Sequence, residues 1–173
     1  MIRPYTFEDF NGIKDVIDSV IKNECWPHYY PDGWNEERIK QEFNPLYDYN
    51  DSIFLVSDNK DITGLIAGHD LDSFIDNEIP HLRDKFDELE LYRNKVFYQR
   101  DIIIHRAHQR GILGLELFKN MQRHAIRRNY TKLVTRTPLL NFRGRKFFEK
   151  IGYKEIFEDN NPERVYFEMN LKK

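Results

Sequence analysis

The chain has 173 residues, 40% apolar and 14% aromatic, with 32% charged and a net charge of -2. That is the length of one domain, spanning 1–173, with enough apolar surface for a sizeable core, which excludes disorder throughout. The near-neutral balance argues against a nonspecific polyanion binder, although residues 1–92 balance to -13 and residues 93–150 to +12.

Met1 to Thr6 lack a charged segment followed by an apolar one, so no signal peptide is expected there. No apolar run approaches the roughly 18 residues of a membrane span. A soluble, cytoplasmic protein with no membrane partner is expected. Ile2–Tyr5 reads as a first strand. Thr6 and Asp9 then offer a helix start, and Phe10, Ile13, Ile17, Val20 and Ile21 recur at helical spacing. The lone Cys25 cannot form an intrachain disulfide, which fits a reducing compartment. An aromatic loop follows, with Trp26, His28, Tyr29, Tyr30 and Trp34. Asn35 caps a second helix to about Phe43. Ser52–Ser57 and Ile62–His69 form a hairpin across Asp58–Asp61.

Residues 72–92 are acidic and partly helical. Val96–Ile104 is a long strand whose last three residues, Ile102, Ile103 and Ile104, suggest burial on both faces. A helix starting near Arg110 turns Leu113, Leu117, Phe118, Met121 and Ala125 inward. Lys132–Arg136 is a strand, and Asn141–Lys150 a helix closed by Gly152. Tyr153–Phe157 and Arg164–Leu171 form a last strand pair. The fold class is mixed α/β, in the order β-α-α-β-β-β-α-β-α-β-β, with the long strand parallel to the next.

Between the long strand and its helix lies Ile104-His105-Arg106-Ala107-His108-Gln109-Arg110-Gly111-Ile112-Leu113-Gly114. Loop amides and the free N–H groups of a helix start point outward together there. They make an anion cradle suited to a pyrophosphate. Gly111 and Gly114 keep the backbone accessible, and Arg106 and Arg110 add charge. This segment resembles the acyl-CoA-binding motif of GNAT N-acetyltransferases: Gln or Arg, two residues, Gly, one residue, then Gly or Ala. Gln109, Ile112, Leu113 and Gly114 fall on it, with Ile112 at the usual first glycine. Asn141 through Tyr153 is similar to the family's closing segment, with Phe148 where a tyrosine is usual.

The resemblance implies a GNAT fold and an acetyltransferase using acetyl-CoA on a primary amine of a small molecule or a basic peptide. Attack would be direct, in a ternary complex, without a metal and in a monomer or homodimer. A non-catalytic acyl-CoA-binding domain, acting as a sensor or interaction module, is the alternative. The cradle would comprise Gln109, Arg110, Gly111, Ile112, Leu113 and Gly114, with Asn141 and Phe148 beyond it. The resemblance also implies that the long strand splays from its neighbour and lays its backbone, Ile102 to Ile104, against the acetyl group. By period two, Tyr98 and Arg100 share one face of that strand, and Gln99 and Asp101 the other. Tyr98 and Asp101 are the candidate catalytic residues, Tyr98 also as a pocket wall and Asp101 also as a salt-bridge partner. Trp26, His28, Tyr29, Tyr30 and Arg100 would line the acceptor pocket. His105 and His108 lack a third ligand, so no metal is expected. No nucleic-acid partner is expected from the arginines of residues 119–146, which lack interleaved aromatics.

Overall fold

Arg3 decides where the first helix begins. In the computed structural model, which describes residues 1–171, its guanidinium grips both oxygens of Asp9 at 2.7 and 2.8 Å. Asp9 also accepts the Thr6 amide at 2.8 Å. These bonds hold the Asp9 carboxyl down to about 2 and tie strand β1 (Ile2–Pro4) to helix α1 (Phe10–Ile21). The apolar spacing of α1 buries Ile13, Val16, Ile17 and Ile21. A single turn, α2 (Trp26–Tyr29), carries part of the aromatic loop. Helix α3 (Glu36–Phe43) starts where Asn35 accepts the Arg38 amide at 2.8 Å.

Strands β2 (Ile53–Asn59) and β3 (Asp61–Asp70) form the hairpin. The acidic segment folds as two short helices, α4 (Leu71–Asn77) and α5 (Arg83–Glu88). Then come β4 (Val96–Ile104), α6 (Leu113–Arg127), β5 (Lys132–Pro138), α7 (Phe142–Ile151), β6 (Lys154–Asn160) and β7 (Glu163–Asn170). Helix α6 starts later than Arg110, because Arg106–His108 first makes a 3-10 turn. Of its inward stripe, Leu117, Phe118, Met121 and Ala125 are buried, and Leu113 is half-buried. Gly152 ends α7 at φ 107°, a left-handed angle suited to glycine. Among the described residues no helix is long and apolar enough to cross a membrane.

The seven strands pair in the order β1-β2-β3-β4-β5-β7-β6, parallel only between β4 and β5. Helices α6 and α7 cover one face, against Ile66, Phe97, Leu133 and Phe167. Helices α1 and α3 cover part of the other, against Val56, Leu65 and Ala67. The acidic insertion covers the rest, against Tyr98, Val134 and Tyr166.

Two expectations for β4 need correction. Its first half, Val96–Arg100, is buried, whereas Ile102–Ile104 are only half-buried. The reason is that β5 no longer runs beside them. The period-two reading also fails past Gln99. Gly68 pairs with Gln99 and Ala67 with Asp101, so Arg100 is an extra, bulged residue. A bulge interrupts the alternation and re-aims side chains. Asp101 is therefore paired with Ala67, on the face that carries Tyr98, and not on the Gln99 face. Arg100 Nε and Asp101 Oδ2 lie 3.9 Å apart, a proximity that consecutive residues of a regular strand do not reach.

Gly68 permits this bulge. A Cβ there would sit 2.5 Å from the Phe97 ring and 2.7 Å from the Tyr98 carbonyl oxygen. Gly68→Ala is expected to destabilise the protein by about 1–3 kcal/mol, as overpacking does. Gly111→Ala, whose Cβ meets nothing nearer than His108 O at 3.6 Å, should stay within about 0.5 kcal/mol of the parent. Urea midpoints for both variants check this, and equal midpoints would contradict it.

Candidate active site

The parallel pairing of β4 and β5 runs from Val96–Lys132 to Gln99–Thr135 and stops. Its last rung is pinned twice. Thr135 Oγ1 donates to Gln99 O at 3.0 Å, and Tyr153 Oη donates to Gln99 Oε1 at 3.1 Å from the α7 side. Beyond that rung β4 stays with β3 and β5 stays with β7. A cavity of about 510 Å³ fills the opening and runs from the start of α6 to the aromatic loop.

At one end the cavity meets a helix start. The first intrahelical bond of α6 runs from Glu116 N to Ile112 O at 3.0 Å. The amides of Leu113, Gly114 and Leu115 precede that ladder. Gly111, Ile112 and Gly114 line this end, together with Arg110, Arg143 and Lys150. Gln109 is held between elements, donating to Ile104 O at 3.1 Å and accepting from Arg143. Asn141 caps α7, accepting the Gly144 amide at 3.1 Å and donating to Thr137 Oγ1 at 2.8 Å. Phe148 borders the cavity but packs in the core against Tyr153 and Phe167. Ile102 and Ile104 line the β4 wall, and Leu113 is turned away from the cavity.

At the other end stands a group of charges around the buried Arg100. Arg100 donates to Glu42 at 3.0 Å and to Glu78, which also accepts from Tyr49 at 3.1 Å. Asp101 presents one oxygen to the protein and has no hydrogen-bond partner for it. Burial pushes its carboxyl up to about 7, with Glu42 adding to the effect and Arg100 and Arg136 opposing it. Tyr98 lies under this group, stacked on Phe74 at 3.9 Å, and burial raises its hydroxyl well above the usual range.

Of the aromatic loop, Trp26, Tyr30 and Trp34 reach the cavity. His28 and Tyr29 do not, and turn toward Glu163 at 3.8 and 3.4 Å. His69 is buried beside Tyr49, and Asp70 caps α4, both outside the cavity. His105 Nδ1 accepts the Ala107 amide at 3.2 Å. Among the described residues no three metal-ligating side chains converge. Cys25 is a half-buried free thiol, pushed up by burial.

Several lining residues escaped the sequence reading: Glu42 on α3, Arg136 on β5 and Arg164 on β7. A charged residue inside an apolar strand, as Arg136 follows Leu133-Val134-Thr135, was the available signal. Glu42 had none, being one carboxylate among many in an acidic segment.

Residues 20–153 match the family model described as acetyltransferase (GNAT) family. No curated protein matches the chain in sequence. Among solved structures it is similar to the PaiA N-acetyltransferase from Thermoplasma acidophilum in complex with coenzyme A. That match has 14% identity and a TM-score of 0.67, covering 98% of each chain. It is also similar to an N-acetyltransferase from Staphylococcus aureus Mu50, at 17% identity and a TM-score of 0.69, covering 99% of this chain and 98% of that one. The ribosomal-protein-S18-alanine N-acetyltransferase from Escherichia coli aligns at 10% identity with a TM-score of 0.68, over 100% of this chain and 94% of its own. At these identities the likeness speaks for the fold alone. With three quarters of the chain inside the family model, the chain belongs to the acetyltransferase (GNAT) family and is an acetyl-CoA-dependent acyltransferase.

Proposed function

We propose that the whole chain works as one N-acetyltransferase domain that moves an acetyl group from acetyl-CoA to a primary amine, with direct attack in the split between β4 and β5. One observation carries this reading: a single cavity joins the free amides at the start of α6 to the carboxylate of Asp101. An anion and an amine can thus be held at its two ends at once.

The residues present suit the donor. The amides of Leu113, Gly114 and Leu115, with the helix dipole behind them, would hold a pyrophosphate. Arg110, Arg143 and Lys150 border the same end and add positive charge. The donor supplies an acetyl thioester whose thiol, with a pKa of about 8.5, leaves readily as thiolate. That property lessens the need for a protein acid, and Phe148 offers none. The edge of β4 beyond Gln99, released from β5, leaves backbone amides near Ile102 to Ile104 to stabilise charge developing on the carbonyl oxygen.

Asp101 serves as the base in this scheme. It takes a proton from the acceptor ammonium, the free amine forms the N–C bond as the C–S bond breaks, and the second N–H proton passes to the departing thiolate, giving the amide and the free thiol of CoA. A carboxylate near its ordinary pKa of about 3.9 would be a poor base for an amine. Burial makes Asp101 a better one. Arg100 is a positioning residue, locked by Glu42 and Glu78 so that its neighbour faces the cavity.

Acetyl-CoA and CoA are each expected to raise the melting temperature, by an amount that grows with ligand concentration. Gly114→Glu should abolish that shift, because its carboxylate would enter the cradle beside like charge. Differential scanning fluorimetry decides this, and a variant stabilised like the parent would move the cradle elsewhere. The rate should also fall as pH drops below about 7, where Asp101 takes up its proton. Asp101→Asn should lower kcat by on the order of 10²–10⁴-fold and remove that acidic limb. An unchanged pH profile in Asp101→Asn would assign the proton transfer to another group.

A further inference from the structure

The arginines of this site are not treated alike. Arg100, on β4, meets carboxylates of Glu42 at 3.0 Å and of Glu78. Arg136, on β5, and Arg164, on β7, form no ion pair with any carboxylate among the described residues. Arg136 lies over the Phe74 ring at 4.8 Å and donates one bond, to Tyr166 Oη at 3.2 Å. Arg164 lies over the Tyr29 ring at 5.2 Å and donates to Glu163 O at 2.8 Å and Tyr30 Oη at 3.3 Å. A guanidinium has five N–H donors, so most of those on Arg136 are unused by the protein.

Both arginines stand on one face. Arg136 pairs with Tyr166, and Pro138 with Arg164, so the two are diagonal neighbours across β5 and β7. This is the face that Tyr98 and Asp101 occupy on β4. All four residues line the same cavity. Asp159, directly across β6 from Arg164, turns instead to His81 at 3.5 Å. A charge taken out of water and left without a counter-charge is costly. Arg164 is buried and Arg136 half-buried, and neither has a carboxylate in ion-pair contact; both line one cavity, which is the mark of an anion supplied from outside.

We infer that the acyl acceptor is a small amine that carries a carboxylate, which Arg136 and Arg164 hold while Asp101 faces the amine. The inference rests on the acetyl-transfer reading and narrows it. A planar carboxylate fits the forked donors of guanidinium groups. A basic peptide side chain, the other candidate acceptor, would bring positive charge against the same two arginines and be disfavoured. The acceptor end is walled by Trp26, Tyr30 and Phe74, so the body of the molecule between amine and carboxylate would be apolar in part.

The test is a matched panel of amino acids, their carboxamides and the phosphonates of the same skeletons, read by release of free thiol from acetyl-CoA. Acids should exceed their amides by about 10²-fold in kcat/KM, mainly through KM, as loss of a charge pair implies. Arg136→Met should raise KM for the acids by a similar factor and for the amides far less, with the CoA melting shift unchanged, and Arg136→Lys should recover part of the loss. N-acetyl amino acids should stabilise the CoA-loaded parent more than N-acetyl amides do, a comparison that needs no variant. Amides turned over as fast as acids, phosphonates preferred to carboxylates, or no acid acetylated would each overturn the inference. Absence of any CoA shift in the parent would instead overturn the acetyl-transfer reading beneath it.

Discussion

The rung between Gln99 and Thr135 is the last that β4 and β5 share. It is bonded on both sides, by the Thr135 hydroxyl to the Gln99 backbone and by the Tyr153 hydroxyl to the Gln99 side chain. One residue later, the bulge at Arg100 turns β4 so that Arg100 and Asp101 reach a common neighbourhood. A regular strand would have kept the parallel pairing and sent Asp101 to the α7 side. The cavity, the half-exposed isoleucines and the raised carboxyl all follow from that interruption. Gly68, with Phe97 and Tyr98 O too close for any side chain, is the small residue that allows it.

Charge is arranged around the same split. The acidic first half and basic second half pair across the molecule, Glu42 and Glu78 with Arg100, Asp51 with Arg128 and Glu24 with Arg143. The pairing is selective. It neutralises Arg100, next to Asp101, the proposed base, and leaves Arg136 and Arg164 without an ion pair. An acidic insertion that reads in the sequence only as partly helical thus supplies Glu78 to a buried arginine. It also supplies Phe74, on which both Tyr98 and Arg136 lie.

Much of this was legible in the sequence. Element order, the β4 limits, the Asn35 cap and the Gly152 stop follow from local spacing and capping, which act over a few residues. The loop leading into α6 and the closing segment were legible as motifs, although the helix itself starts at Leu113. The facing of Asp101 was not, because a bulge depends on the partner strand, and Gly68 lies more than thirty residues earlier. Arg136, Arg164 and Glu42 were missed for the same reason. Each is unremarkable in its own segment and acquires meaning from elements distant in sequence. Conversely, His28 and Tyr29 belong to an aromatic run whose spacing does not show which rings turn inward.

The central claim is that one opening in the sheet holds the acyl donor between the β4 edge and the start of α6. Amide hydrogen exchange with and without acetyl-CoA tests it directly. Slowed exchange is expected at those amides of residues 102–104 that face away from β3, and at residues 112–115 ahead of the α6 ladder, with β1 and β2 unchanged. Slowing confined to other elements, or none at saturating acetyl-CoA, would contradict it.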